Sequence, residues 1–289
     1  MISITVFPLC ENFVSKRPTT LFSLVLLRVH IIFNCYTLLY FIKSILSCIL
    51  IKFIKMNVRL QFIVNSMKTI FKNYCTPSEL YAKKIKDLTV ISTNHLTPEI
   101  KLYLITEQCK LWHSPADQCE FDDPFWAFYW PGGQAISRFI LDNRQYVNNK
   151  KVLDVGSGSA ACALASAIAG ASQVTANDID PVACVAAKLN AQLNNICIDV
   201  LPKNILSDDC SQWDVIIVGD MFYSKDIAEL LWKWLNTLHN HGKIVLIGDP
   251  GRHCFKPECQ LTKLAEYKLT ENCCLENRGF STSSVWKLN

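Results

Sequence analysis

Acidic side chains are nearly missing from the first quarter of the chain. Residues 1–78 contain a single one, Glu11, against nine basic side chains: Lys16, Arg17, Arg28, Lys43, Lys52, Lys55, Arg59, Lys68 and Lys72. The whole chain of 289 residues holds 29 Lys and Arg and 25 Asp and Glu, so residues 79–289 keep 20 and 24, a net charge of −4. The basic excess therefore belongs to a leader, and the rest lacks the electrostatic footprint of a nucleic-acid binder. No Asn-x-Ser/Thr sequon occurs, so nothing marks glycosylation and secretion. Fourteen cysteines among 289 residues fall below the density of small stapled domains, and they read as reduced, intracellular thiols. Paired Cys-x-x-Cys spacing is also missing. His239-Asn240-His241, His253-Cys254 with Cys259, and Cys273-Cys274 therefore carry no zinc or redox signature. Half of the residues are apolar and 19% charged, which excludes a disordered chain.

Long uncharged runs are scarce as well. Residues 20–55 are strongly apolar, but the longest stretch free of Lys and Arg, Val29–Ile42, has 14 residues, where a spanning helix needs roughly 20. Arg28 and Lys43 at its ends could snorkel, so a tilted membrane anchor stays open beside two other readings. One is that residues 1–55 are misassigned upstream sequence. The other starts at Met56, where MNVRLQFIVNSMKTIFKNY is basic, acid-free and amphipathic in the manner of a mitochondrial transit peptide. The expected location is the mitochondrial matrix, with the cytoplasm as the alternative. The organisation expected is a leader over 1–78, a helical and aromatic extension over 79–149, and a core over 150–289.

From Lys150 onward, apolar runs of strand length alternate with segments of helical period, the pattern of βαβ units and a parallel sheet. Strands are predicted at Lys151–Val155, Gln173–Asn177, Asp199–Pro202, Asp214–Gly219, Lys243–Gly248 and Ser283–Leu288. Helices are predicted at Ala160–Ala169, Pro181–Leu193 and Asp226–Leu238. The last carries Ile227, Leu230, Leu231, Trp234, Leu235 and Leu238 on one apolar face.

The first predicted strand runs into Asp154-Val155-Gly156-Ser157-Gly158-Ser159-Ala160-Ala161. Gly156 and Gly158 let the backbone approach a ligand, and the following helix start offers free N–H groups. The string also fits a dinucleotide loop, so an oxidoreductase stays possible. Asp154 weighs against one, since an acid beside a pyrophosphate is unfavourable while the amino group and sulfonium of S-adenosylmethionine welcome it. Asp178, 22 residues after Gly156, is placed to bond ribose hydroxyls. Asp180 before Pro181 reads as a helix cap. Asn204 could meet an adenine edge or merely make a turn.

Further strings are Asp123-Pro124-Phe125-Trp126-Ala127-Phe128-Tyr129-Trp130-Pro131-Gly132-Gly133, Gly219-Asp220-Met221-Phe222-Tyr223 and Gly248-Asp249-Pro250-Gly251-Arg252. With Asp154–Gly158 and Asn177–Pro181 they resemble the seven-strand, S-adenosylmethionine-dependent protein-lysine methyltransferases that share an Asp-x-x-Tyr motif. Within that group they resemble the mitochondrial branch acting on the β-subunit of electron-transfer flavoprotein. The resemblance runs from about Leu96 to the C-terminus. It implies an α/β, Rossmann-like methyltransferase fold with a mostly parallel seven-strand sheet and helices on both faces. It also implies S-adenosylmethionine as cofactor and a protein substrate; apart from the resemblance, a monomer without a nucleic-acid partner is expected.

On this reading Asp220 and Tyr223 orient the substrate lysine, Asp154, Gly156, Gly158, Asp178 and Asn204 contact the cofactor, and Trp130 covers the cofactor or the lysine channel. Asp249 and Arg252 border the substrate side or stabilise their loop from within. Most of the aromatic run Phe121, Phe125, Trp126, Phe128, Tyr129 and Trp130 reads as core or lid packing. In one respect the chain departs from the family loop: Ala160 stands where a third glycine is usual. Its methyl is tolerable if the backbone there is already right-handed helical. A disabled loop would leave a binding module instead of an enzyme.

Overall fold

The computed structural model describes residues 76–113, 120–121, 123–256, 260–270 and 279–289. The basic leader through residue 75, with the candidate anchor at 20–55 and Met56, lies outside the described residues, as do Cys259 and Cys273-Cys274. Among the described residues no helix is long and apolar enough to cross a membrane.

Helix α1 (Pro77–Leu88) begins with Pro77, whose missing N–H costs nothing in a first turn. Thr76 accepts the Glu79 N–H through Oγ1, and the Glu79 carboxylate accepts the Thr76 N–H at 2.7 Å, a reciprocal capping box. A short antiparallel pair follows, β1 (Val90–Ser92) with β2 (Leu102–Leu104). Then comes α2 (Pro131–Asp142), which the sequence reading folded into the extension without naming.

The alternating part follows the expected order: β3 (Lys151–Val155), α3 (Ala161–Ile168), β4 (Gln173–Asn177), α4 (Pro181–Leu193), β5 (Asp199–Leu201), β6 (Val215–Gly219), α5 (Lys225–Asn240) and β7 (Ile244–Asp249). β8 (Leu261–Lys268) and β9 (Thr282–Leu288) close it. The sheet order is β5-β4-β3-β6-β7-β9-β8. The first five of these strands are parallel, β9 is antiparallel to β7, and β8 is antiparallel to β9.

Two-residue periodicity assigns the faces. Val152, Val174, Ala176, Val215, Ile217 and Leu246 point to the side where α2 and α3 pack. Leu153, Val155, Ile216, Val218, Val245 and Ile247 point to the side covered by α5. The small residues of α3, including Ala161, Cys162, Ala163 and Ala165, let its backbone lie close to the sheet. On α5 the buried stripe is Ala228, Leu231, Trp234, Leu235 and Leu238. Leu230, expected on that face, is 56% exposed: at about 100° per residue it falls beside the stripe that Leu231 centres. Helix α4 has two apolar faces. Ala187 and Ala191 join the sheet core, while Ala183, Val185, Ala186 and Leu189 meet Ile85, Phe121 and Trp126.

Helix α2 sits where it does because two glycines touch. A Cβ on Gly132 would lie 2.2 Å from the Gly248 carbonyl oxygen, and one on Gly248 would lie 2.1 Å from that of Gly132. Both obstacles are backbone and cannot swing aside. Gly132→Ala is therefore expected to destabilise the protein by about 3 kcal/mol in urea unfolding. Gly133→Ala, whose Cβ would meet only the Tyr129 ring at 3.5 Å, is expected to be neutral or stabilising.

His95 makes a second expectation. Its ring lies buried and edge-on to Tyr129, with Nδ1 3.2 Å from Thr97 Oγ1 and Nε2 without a partner among the described residues. Burial pulls its pKa down to about 4, against the opposing Ser92 backbone and Glu99 charge. The folded state thus binds fewer protons than the unfolded chain between pH 6.5 and 4. The neutral ring's contribution is complete above about 6.5 and is lost as pH falls through that window. Unfolding free energies at pH 7 and 4 are expected to show the native protein losing up to about 3 kcal/mol relative to His95→Gln. Parallel curves for the two proteins would refute this.

Candidate active site

The strand order reverses direction at β3: β4 and β5 lie to one side, β6 and β7 to the other. A crevice opens at the carboxyl ends of the strands at such a switch point. The loop from Asp154 to Ala160 follows β3, Asp178 follows β4, and Asp220 to Tyr223 follow β6.

Helices α2 and α3 carry no capping side chain of their own, so their first N–H groups need partners from elsewhere. Asp154 supplies one: its Oδ2 accepts the Ala163 N–H at 2.9 Å. Asp220 supplies the other, accepting the Gly132 N–H through Oδ2 at 2.7 Å. Asp180, as expected, caps its own helix through Val182 N–H at 2.7 Å.

Asp154 is almost wholly buried, and burial pushes its carboxyl up to about 8, with the Ala163 N–H opposing and the Asp178 charge adding. Asp178 accepts the Gly158 N–H through Oδ2 at 2.9 Å and the Asp180 N–H through Oδ1 at 3.0 Å. Burial raises its pKa despite those bonds. Gly156 and Gly158 both adopt left-handed backbone, φ 62° and 50°, which glycine reaches freely. The Met221 thioether lies against Gly156, where a Cβ would meet its sulfur at 2.2 Å. Ile179, next to Asp178, leaves 72% of its surface exposed. A glycine loop, carboxyls that disfavour each other's charge and an exposed apolar side chain suit a ligand with cationic groups and a flat apolar ring. They do not suit a pyrophosphate.

Ala160 departs from the tolerable case. Its φ of 64° and ψ of 25° are left-handed, not right-handed helical. Its N–H donates to the Ser157 oxygen at 2.7 Å, closing a turn over Gly158 and Ser159, and the chain enters α3 from this left-handed residue. The strain costs an L-residue about 1–2 kcal/mol. The methyl is fully buried in the sheet core, which offsets about 0.8 kcal/mol of that. Asn204 is exposed, and its Oδ1 accepts the Leu206 N–H at 3.0 Å. Of its two expected roles, the structure shows the turn.

Asp220 has φ 60°, a strained conformation for a non-glycine residue that aims its side chain inward. Its carboxylate is 2% exposed, and Oδ1 accepts the Arg252 Nε–H at 2.6 Å. Arg252 lies with its guanidinium 5.7 Å from the Trp130 ring centre and 5.4 Å from that of Phe280. Trp130 is held in turn by its Nε1–H bond to the Phe125 carbonyl at 2.8 Å. Asp249 sets the loop below, accepting the Gly251 and Arg252 N–H groups through Oδ1, both at 2.7 Å. Burial pushes the Asp249 carboxyl up to about 7, the nearby Asp220 charge adding to it. Tyr223 is 53% exposed, and burial followed by the Asp178 charge raises its pKa. The aromatic run divides accordingly. Phe121, Trp126 and Tyr129 are core, whereas Phe125, Phe128 and Trp130 cluster at the surface beside Arg252.

The structure thus gathers Trp130, Asp220, Asp249 and Arg252 in one contact network, bonds Gly158 to Asp178, and sets Asp154 close enough to feel the Asp178 charge. The sequence reading missed Gly132 as the partner of Asp220, Met221 over Gly156, and Ile179. The Pro131-Gly132-Gly133 string was visible, but a helix start gives no sign of which distant carboxylate will cap it.

Residues 135–248 match the family described as ribosomal protein L11 methyltransferase (PrmA). The chain is 48% identical over 217 residues to the electron transfer flavoprotein beta subunit lysine methyltransferase of Mus musculus, covering 73% of this chain and 85% of that one. The Homo sapiens protein of the same name is 46% identical over 213 residues, 72% and 81% of the two chains. The Caenorhabditis elegans homolog is 39% identical over 225 residues, 69% and 92%.

Because Asp220 is both a helix cap and the partner of a buried Arg252, Asp220→Ala is expected to cost about 3–5 kcal/mol of stability. Asp220→Asn keeps an oxygen for the Gly132 N–H and is expected to cost about 1–2 kcal/mol less. Urea unfolding of the three proteins checks both values, and makes the asparagine variant the one fit for functional assays.

Proposed function

The chain belongs to the electron transfer flavoprotein beta subunit lysine methyltransferase family, and on that premise we propose that it methylates lysines of the electron-transfer flavoprotein β-subunit. It is an S-adenosylmethionine-dependent protein-lysine methyltransferase. The observation that carries the reading is the crevice at the sheet's switch point, where the Gly156–Gly158 loop, Asp178 and the Asp220–Tyr223 segment meet.

The residues fit the cofactor. Asp178 faces the place of the ribose hydroxyls, Gly156 and Gly158 keep the loop free of side chains, and Asp154 and Asp178 are carboxyls raised by burial whose charged forms a bound cation would favour. Ile179 offers an apolar surface for the adenine. When bound, S-adenosylmethionine supplies an electrophilic methyl on a sulfonium.

The chain's own part concerns the lysine. At pH 7 a free lysine is only about 0.04% neutral, and only the neutral amine is nucleophilic. Taking the side chain out of water, beside a cation, favours the neutral form. The amine must still be held in line. Each Asp220 oxygen carries more than one acceptor site, so its bonds to Gly132 and Arg252 leave places for amine N–H groups. Tyr223, half exposed at the rim, can lie along the lysine's alkyl stem. The surface aromatics Phe125, Phe128 and Trp130 flank the approach on the Arg252 side.

We place the activity in mitochondria, a reading supported by the basic, acid-free segment that starts at Met56, and we take the working form as a monomer without a membrane anchor.

Full-length protein, radiolabelled S-adenosylmethionine and bacterially produced electron-transfer flavoprotein β-subunit test the proposal together. Label is expected on lysine of that subunit. Asp178→Ala is expected to weaken cofactor binding at least tenfold by calorimetry, the loss of about two charge-assisted hydrogen bonds. Cofactor binding without label on the β-subunit would overturn the substrate, and no cofactor binding would overturn the enzyme.

A further inference from the structure

A carboxylate that receives a lysine sets a problem. A bare carboxylate stabilises the ammonium, the form that cannot attack, and raises the lysine's pKa. Asp220 is not bare. Its Oδ1 is bonded to the Arg252 Nε–H at 2.6 Å, with the two side chains 2% and 11% exposed. The guanidinium is held between this bond and two aromatic rings. Trp130 and Phe280 flank it, and the Asp249 carboxylate holds the Arg252 backbone. Trp130 also precedes α2, whose Gly132 N–H bonds the other oxygen of Asp220. Asp220, Gly132, Trp130 and Arg252 therefore form a closed circuit around the carboxylate.

Resting on the function proposed above, we infer that Arg252 is a positioning residue that offsets the charge of Asp220, so that the substrate lysine is held by hydrogen bonds as the free amine and is not trapped as an ammonium. The proton leaves to water before the amine is aligned. The guanidinium, always charged, also repels an ammonium at short range. It acts through Asp220 and need not touch the substrate.

The charged group facing this pair is Asp249 at the end of β7, whose carboxyl interacts with both members. Across the crevice Tyr223 interacts with Asp178, and His253, next to Arg252 in the chain, is exposed. On α2 the charged Arg138 pairs with Asp142 of the same helix and with Glu99.

The test uses the full chain with the electron-transfer flavoprotein β-subunit, and measures kcat and KM from pH 6.5 to 9.5 for the native protein, Arg252→Met and Arg252→Lys. Methionine keeps apolar bulk between the rings and removes the charge, whereas lysine keeps the charge. In Arg252→Met the acidic limb of kcat is expected to rise by at least one pH unit. Its kcat then falls at least tenfold at pH 7 and converges on the native value near pH 9.5. KM is expected to stay level or fall, and calorimetry without cofactor to show the β-subunit bound several-fold more tightly, because the freed carboxylate attracts ammonium. Arg252→Lys is expected to leave the limb in place. Asp249 titrates in the same range, so the profiles are repeated in the Asp249→Asn background, where the displacement is expected to persist.

A uniform loss at all pH values, or a displacement that vanishes with Asp249→Asn, overturns the inference. Should Arg252→Met not fold, the double variant Asp220→Asn/Arg252→Met has no charge left to offset. Its limb is expected at or below the native position, and a raised limb overturns the inference. Native protein that methylates at no pH overturns the function and the inference with it.

Discussion

The carboxylate of Asp220 joins three separate parts of the chain. It ends β6 in a left-handed conformation, caps the first turn of α2 and neutralises Arg252 from the loop after β7. The Asp220 N–H meanwhile bonds the Gly248 oxygen at 2.8 Å, the same carbonyl that approaches Gly132. A helix start, two strand ends and a loop are thus fixed by one buried charge and one pair of facing glycines. A buried carboxylate is costly unless all its oxygens are satisfied, so its partners are specified tightly. This rigidity is what a site that must aim a lone pair requires.

Asp154 repeats the device on a neighbouring strand, capping α3 from the end of β3. In both cases a helix without a capping side chain lends its N–H groups to a carboxylate at the sheet's carboxyl edge. The outcome is a row of acids, Asp154, Asp178, Asp220 and Asp249, along one rim. Burial first, and the charge of a neighbouring acid second, push three of them upward, while Asp220 has Arg252 beside it. The rim favours cationic groups at the cofactor end and a neutralised acceptor at the substrate end, which is the division of labour that methyl transfer to an amine needs.

Much of this was legible in the residues. The strands β3 and β4 and helix α4 have the bounds that alternation, Pro181 and Asp180 suggest. The glycine loop and Asp178 lie where their spacing put them, because a βαβ unit leaves few ways to join those elements. Leu230 was misjudged since six apolar residues span more of a helix than one neighbouring sheet can cover. Ala160 was misjudged because φ depends on the closure of the loop as a whole, which residue type alone does not reveal. The turn that Asn204 suggests is present in the path of the chain after β5.

By itself the sequence determined the alternation of strands and helices and the glycines and acids at the strand ends, since these follow from local period and spacing. Tertiary structure alone decided what those acids do. Asp154 and Asp220 reach across 9 and 88 residues to cap helices, and Arg252 reaches Asp220 across 32. Such pairings depend on strand order and on the close approach of Gly132 to Gly248, which no local pattern encodes.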